Sequence, residues 1–532
     1  MAAKNPAGRI ARSAGAISVA VFLSRILGLV REQVMAGLFG AGTAMDAFVV
    51  AFRIPNLLRD LFAEGALSSA FVTVFSDYET KRTGEETWQL VNNVLATLTV
   101  IVSIITLCGI YFSEELVMLL APDFAGVPGK TALAGRLAAI MFPFLLLVSM
   151  SSLAMGILNT KGKFFVPAMA SSCFNLGSII AGGGLALLFP HYGRPAIEGM
   201  AIGTLVGGAM QLLVQLPLVF RFGFRLRPGL ALADPGLRRI GRLIVPAIIG
   251  LSATQINIFV NTNFASRCAE GSVAWLNYAF RLIQFPIGLF GVALSMAALP
   301  VMARQAAEGD RKLMGDTMVS ALGMVFVLTL PAAAGLAVLA EPLVALIFEH
   351  GRFTMADTAM TAAAVRFYAI GLMAYSAVKI TVPVFYALDD TRWPVIASFA
   401  AVAANIVIIL CTLGRFQHRA IALSTSMTMI MNFFLLTFVL YRKTGGYPVM
   451  KLLSTFIKAL AASGVMAAGV WYLQQVLDTG RSLSALGLRV ALSVAAGVAI
   501  YLAMSWLFGI GEVKEVAEAL LSKAGFGIKR ER

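Results

Sequence analysis

Long apolar runs, divided by brief clusters of Gly, Pro and charge, recur along the whole chain. They fall at 14–40, 45–75, 88–112, 132–158, 164–189, 196–220, 240–265, 272–302, 313–340, 358–387, 393–414, 419–441, 451–476 and 484–509. Each is long enough for the roughly 20 helical residues that cross the hydrocarbon core of a bilayer. Strands of a membrane barrel would be about ten residues long and alternate in polarity; these runs do neither. The pattern predicts an all-α integral membrane protein with fourteen transmembrane helices and no inserted soluble domain. The longest polar stretches are the connection 221–242 and the tail after Gly509.

Composition agrees. Of 532 residues, 59% are hydrophobic and 13% charged, against about 25% charged in soluble proteins, and the mean hydropathy is +0.84. The net charge of +15 would suggest nucleic acid in a soluble chain, so its placement decides its meaning. With the N-terminus inside and fourteen spans, both termini share the cytoplasmic side. Inside segments then hold 25 Lys and Arg and outside loops 8, as the positive-inside rule expects. The densest cluster, Arg221, Arg225, Arg227, Arg238, Arg239 and Arg242, follows span six. The charge is topogenic and no nucleic-acid partner is expected. Lys4, Arg9 and Arg12 before an apolar stretch imitate a signal peptide, but the run continues past Ser24 and Arg25, and removing it would break the charge rule. Cys108, Cys173, Cys268 and Cys411 are scattered, without a CxxC pair, and read as small apolar packing residues.

The chain also repeats itself. AFRIP at 51–55, LF at 61–62 and ALSSAF at 66–71 correspond to AFRLIQFP at 279–286, LF at 289–290 and ALSMAAL at 293–299. Arg53 aligns with Arg281, 228 residues on, and the segments around 158–167 and 388–394 align at a similar offset. Spans 1–6 and 7–12 therefore read as two parallel copies, each of even span number, as in transporters whose site lies at the repeat interface. The expected organisation is a six-helix bundle over 1–225, a second over 226–445, two further helices over 446–510 and a cytoplasmic tail over 511–532.

Nine cations lie inside spans: Arg25, Arg31, Arg53, Arg59, Arg136, Arg281, Arg366, Lys379 and Lys458. Each costs about 2.5–3.5 kcal/mol at a helix centre. Arg136 and Lys458 sit near span ends, where long side chains snorkel to the interface. The first two spans add Glu32, Asp46, Asp60 and Glu64. Internal pairing, Arg31 with Glu32 and Arg59 with Asp60 or Glu64, is the bland explanation, but Arg25, Arg53 and Arg281 have no acid nearby in sequence. Arg25 and Arg31 are six residues apart, off one face of a straight helix, and Gly28 between them would permit a bend. The remaining inference is a central cationic cavity. Guanidinium groups match phosphate oxygens bidentately and stay charged, so the expected cargo is a phosphate ester. Pro55, Gly65, Pro143, Pro246, Gly250, Pro286, Gly288 and Gly291 mark hinge-like or closely packed places.

Other chemistry is missing. Gly129–Lys130–Thr131 imitates the end of a P-loop, but Phe124 stands where the first glycine belongs and no strand precedes it. His191, His350 and His418 map to outside loops without metal-ligand spacing. The expectation is a transporter, not an enzyme.

SRILGLVRE at 24–32, FGAGTAMDAFVVAFRIPNLLRDLFAEGALSSAFVTVF at 39–75, GSVAWLNYAFRLIQFPIGLFGVALSMAALP at 271–300 and HGRF at 350–353 resemble the MurJ (MviN) lipid II flippases of bacteria, over nearly the whole chain. The resemblance implies an inner-membrane protein that carries lipid-linked peptidoglycan precursor between leaflets by alternating access. It implies substrate-binding roles for Arg25, Arg31, Arg53, Arg59 and Arg281, and supporting or gating roles for Ser24, Gly28, Glu32, Asp46, Glu64 and Gln284. It also implies a groove for the polyprenyl tail in spans 13 and 14. Two positions depart from some relatives: Gln284 stands where they carry an acid, and Phe280 where they carry Asp. Some members bind sodium among spans 7, 11 and 12; span seven here offers Asn257, Asn261 and Asn263 and no carboxylate, so monovalent-cation coupling is left open and no other cofactor is expected. The expected partners are lipid II or a related polyprenyl-diphosphate glycolipid, membrane lipids and the cell-wall synthesis machinery, with the chain itself a monomer. Alternative readings are a flippase for another polyprenyl-diphosphate glycan, or a cation-coupled multidrug exporter with an essential intramembrane carboxylate.

Overall fold

A computed structural model describes residues 6–60, 66–227, 229–477, 480 and 482–513, with side chains from residue 19 onward except at 66. Every regular element among the described residues is helical. Twelve helices are long and apolar enough to cross a membrane, and they coincide with expected spans three to fourteen. The first two expected spans fall on α1 (Pro6–Phe39) and on the pair α2 (Thr43–Arg59) and α3 (Ala66–Lys81). The chain is a multi-pass, all-α membrane protein. It divides into two compact units.

Unit 1 holds residues 1–274 and the loop 350–353. After α3 come α4 (Gly84–Tyr111), α5 (Ser113–Leu120), α6 (Lys130–Met141), α7 (Phe144–Thr160), α8 (Phe165–Gly177), α9 (Gly183–Leu188), α10 (Ala196–Leu213), α11 (Leu216–Arg221) and α12 (Pro235–Ser266). A capping box opens α4: the Thr83 hydroxyl accepts from the Glu86 amide at 3.3 Å and the Glu86 carboxylate accepts from the Thr83 amide at 3.0 Å. Phe71, Phe75, Leu90, Val94, Leu153 and Ile157 form its main core. Small residues let α10 approach α8 and α9: Gly199, Gly203 and Gly207 recur every four residues, and a Cβ on Gly203 would overlap Gly182. The expected break at Pro143 is present as a turn between α6 and α7.

Unit 2 holds residues 275–349 and 354–532. Its helices are α13 (Ser272–Pro286, beginning in unit 1), α14 (Ala293–Ala307), α15 (Arg311–Val338), α16 (Ala340–Phe348), α17 (Met355–Ala387), α18 (Arg392–Phe416), α19 (His418–Thr444), α20 (Val449–Val476) and α21 (Leu483–Leu507). Its core gathers Leu322, Val325, Phe326, Ile380, Phe385, Leu436 and Leu440 with Ala459 and Met466 of α20. Between α13 and α14 lies a π-helical segment, Ile287–Val292, at the expected hinge of Pro286, Gly288 and Gly291. Close packing operates there as well, since a Cβ on Gly291 would lie 2.9 Å from the Ser376 Cα.

The duplication is visible in helix boundaries. Gly84 and Arg311, Ser113 and Ala340, and Phe165 and Arg392 each start a helix, and each pair is 227 residues apart. Within unit 1, α7 packs on α4 and α10; within unit 2, α17 packs on the counterparts α15 and α19. The short pair α5 and α16 occupies stretches expected to be loops. At eight and nine residues they are below span length, which is why an apolar-run criterion passes over them. The compact units do not divide where the repeat does: α12, first helix of the second copy, packs on α3 of the first.

Candidate functional site

The expected site residues of the first copy sit on α1 and α2. Arg31 donates from Nη2 to Glu32 at 3.0 Å, with side-chain exposures of 13% and 4%, and its guanidinium lies 5.4 Å from the Phe174 ring centroid. Its buried Nε has no hydrogen-bond partner. Burying an arginine head without meeting all its donors is unfavourable, so Glu32 and the Phe174 ring satisfy this group only in part. Arg25 is exposed and makes no ion pair among the described residues. The helix is α throughout, including Gly28, so Arg25 and Arg31 keep the roughly 120° separation of a regular helix. Gly28 serves packing instead: a Cβ there would touch the Asn175 amide at 3.6 Å, and that amide donates to the Ser24 carbonyl at 3.1 Å.

Arg59 pairs with its neighbour Asp60, Nη2 to Oδ1 at 2.8 Å, and the other Asp60 oxygen accepts from Gln255 Nε2 at 3.3 Å. Arg53 donates to the Thr262 hydroxyl, which itself donates to the Ile258 carbonyl at 2.7 Å. Thus α12 supplies neutral partners for the arginine side of α2. Glu64 lies outside the described residues. In unit 2, Arg281 and Gln284 are both exposed on α13, three residues apart and hence on one helix face. Phe280 beside them packs on Tyr368 and Tyr375, with ring centroids 5.5 and 6.2 Å away.

Asp46 is almost fully buried. Its Oδ2 accepts from Lys130 Nζ at 2.8 Å and from the Gly271 amide at 2.9 Å, and its Oδ1 from the Ala274 amide at 2.9 Å. The ammonium of Lys130 also sits 4.2 Å from the Phe124 ring centroid. Both side chains are at most 4% exposed. Lys130 is therefore a buried partner at the start of α6, and the P-loop-like GKT contributes an ion pair. The unpartnered acid at the start of span two was the sequence signal for it. A reciprocal contact accompanies the pair. Gly42 provides no side-chain cap for α2; the Glu270 carboxylate accepts from the Thr43 amide at 2.8 Å and from its hydroxyl. This hydroxyl, followed by the backbone amide, holds the Glu270 carboxyl below its ordinary value. So Asp46 caps the first turn of α13 while Glu270, just before α13, caps α2.

His418 also departs from expectation. It is not in a loop but opens α19, buried, with Nε2 3.1 Å from the Met360 carbonyl and its ring 5.2 Å from that of Trp275. Cys108, Cys173, Cys268 and Cys411 are all free thiols.

Comparison with known proteins places this architecture. The family model described as lipid II flippase MurJ matches residues 35–492. A probable lipid II flippase MurJ of Vibrio cholerae is 35% identical over 514 residues, covering 94% of this chain and 97% of that protein. The lipid II flippase MurJ of Burkholderia cenocepacia is 34% identical, covering 93% and 96%. A solved lipid II flippase MurJ in an inward closed conformation superposes with a TM-score of 0.77 at 26% identity, over 92% of this chain and 98% of that one. An inward-facing MATE multidrug transporter shares the fold, with a TM-score of 0.62 at 16% identity. With the family model covering most of its length, the chain belongs to the MurJ family of lipid II flippases, which are transporters and not enzymes.

Proposed function

We propose that this protein moves lipid II from the cytoplasmic to the outer leaflet of the bacterial inner membrane. The observation that carries the reading is a set of intramembrane guanidinium groups on a chain of this family. Arg25 and Arg281 are exposed, and Arg31 retains an unmet donor. The apolar runs support fourteen spans, and the charge bias supports cytoplasmic termini. The diphosphate head group binds at Arg25, Arg31 and Arg281, with Arg53 and Arg59 supporting. The polyprenyl tail stays in the bilayer along α20 and α21. The head group cannot cross hydrocarbon bare, because its polar groups find no partners there; alternating access supplies them. The membrane potential assists, since each elementary charge crossing 100 mV is worth about 2.3 kcal/mol and an anion leaving a negative interior moves downhill. The protein acts as a monomer attended by cell-wall synthesis proteins.

The test is complementation of a bacterium depleted of its lipid II flippase, with outer-leaflet lipid II followed by label. The wild-type chain restores growth and exposure; Arg281→Ala and Arg25→Ala insert normally and restore neither. Growth supported by both alanine variants would overturn the assignment of the head group to these arginines.

A further inference from the structure

Unit 2 contains a second polar site that the arginines of α1, α2 and α13 do not touch. A cleft of about 270 Å³ lies among α15, α20 and the chain just after α21, lined by Ser320, Lys451, Ser454, Thr455, Lys458 and Glu512. Local chain geometry builds it. The end of α21 is a Schellman turn: Gly509, at φ +61°, donates to the Trp506 carbonyl at 3.1 Å, and Ile510 donates to the Ser505 carbonyl at 3.0 Å. Ile510 is buried at 2% exposure, which fixes the reversal and turns Glu512 back between α15 and α20. There the Glu512 carboxylate accepts from the Thr455 hydroxyl at 2.9 Å and presses against Gly323.

Lys451, Ser454, Thr455 and Lys458 share one stripe of α20 at helical spacing. Lys458 stands nine residues past the first residue of α20, about 13 Å along it, and Ser320 stands equally far along α15. An ammonium and a carboxylate thus enter one cleft more than two turns inside α20, so Lys458, expected to snorkel from a span end, lines this cleft instead. Neither Lys451 nor Lys458 makes an ion pair among the described residues. Ionisable groups at such depth mark ligand or ion sites unless they pair with each other, and here open space separates them. Beyond Lys458 the same stripe continues, at seven-residue spacing, through Val465 and Tyr472, 45% and 65% exposed. Polar at its start and apolar along its length, the stripe has the order of a lipid's head and tail.

We propose that this cleft binds the head group of a phospholipid whose phosphate carries a hydrogen-bond donor beside it, an ammonium or hydroxyl group. Lys451 and Lys458 take the phosphate, Ser320 and Ser454 supply further donors, Glu512 takes the ammonium or hydroxyl, and an acyl chain follows Val465 and Tyr472. The site rests on the preceding reading only in placing this end of α20 in the cytoplasmic leaflet, where basic pockets between helices select lipid head groups.

The test titrates the full chain in neutral detergent with phosphatidylethanolamine, phosphatidylglycerol and phosphatidylcholine of matched acyl chains, read by native mass spectrometry. The wild type retains one phosphatidylethanolamine or phosphatidylglycerol in preference to phosphatidylcholine, which has no donor. Lys451→Ala with Lys458→Ala weakens retention about thirtyfold, and arginine at both positions restores it, which separates lost charge from lost fold. Glu512→Gln abolishes the preference over phosphatidylcholine. Undiminished retention by the double alanine variant overturns the proposal. So does displacement of the lipid by inorganic phosphate at equal concentration, which would make the site one for a soluble anion. Lipid II exposure by the wild-type chain is scored independently, so either reading can fail without the other.

Discussion

The two copies of the repeat treat their intramembrane charges in opposite ways. In the first copy the intramembrane charges are matched, Arg25 apart: Asp46 with Lys130, Arg31 with Glu32, Arg59 with Asp60, and the almost fully buried Glu198 with Arg136 at 3.2 Å. In the second copy Arg281 and Lys379 are exposed, and Arg366 meets Glu341 only loosely, at 3.7 Å with both half exposed. A buried pair must be complete, because removing one partner strands the other in a low dielectric. An exposed cation keeps its hydration until a ligand replaces it. Paired charge in the first copy therefore fixes backbone geometry, whereas the cations of the second copy stand at the surface. The same ancestral segment pairs most of its charges in one copy and leaves them at the surface in the other.

The largest expected effect breaks that comparison at its strongest point. Lys130→Ala leaves Asp46 with two amides and no counter-charge. It is expected to destabilise the protein by about 3–5 kcal/mol, measured by thermal or denaturant unfolding in a fixed detergent. Lys379→Ala, exposed in the second copy, should change stability by less than about 0.5 kcal/mol. Exchanging the pair, Asp46→Lys with Lys130→Asp, sharpens the point. The Gly271 and Ala274 amides need an acceptor at position 46, and an ammonium cannot accept, so the exchange should not restore stability. Recovery would mean that simple charge pairing, not capping of α13, is what Asp46 provides.

A second contrast is steric. Gly203→Ala places a methyl group into Gly182 and forces α10 away from α8 and α9, at about 1–3 kcal/mol. Gly414→Ala, where an added Cβ meets nothing within 4 Å, should be neutral or stabilising by about 0.4–1 kcal/mol. Equal effects at the two positions would show that the Gly199–Gly203–Gly207 stripe is not a packing face.

Much of this was legible in the sequence, for identifiable reasons. Apolar runs report span positions because the bilayer fixes helix length, and expected spans three to fourteen coincide with observed helices. The offset of 227 residues reports the duplication because helix starts and caps must recur with it. Adjacent pairs such as Arg31–Glu32 and Arg59–Asp60 can be guessed because no folding is needed to bring neighbours together. What escaped requires contacts across long separations. Lys130 finds Asp46 84 residues away, and His418 is buried against residues of α13 and α17. Loop or helix end could not be decided for either from local polarity. The cleft of Lys451, Lys458 and Glu512 escaped because its carboxylate arrives through a turn at Gly509 that the apolar pattern treats as the end of structure.

The smallest expected effect concerns Glu270, whose cap on α2 is exposed where the Asp46 cap is buried. Glu270→Gln keeps an acceptor for the Thr43 amide but loses the charge facing the helix N-terminus, worth about 0.3–1 kcal/mol and reduced further by solvent. The pH dependence gives the sign. The folded carboxyl titrates below its ordinary value of 4.5, chiefly through the Thr43 hydroxyl. Its contribution is therefore complete above that value and is lost as pH falls through the lower, folded pKa. Between neutral pH and about pH 5 the wild type should keep a constant advantage over Glu270→Gln, and the two melting curves should converge only in more acidic buffer. Convergence already near neutrality would mean that this carboxyl is not held ionised by α2. The reciprocal capping of α2 and α13 would then rest on Asp46 alone, and the first copy would own the whole contact.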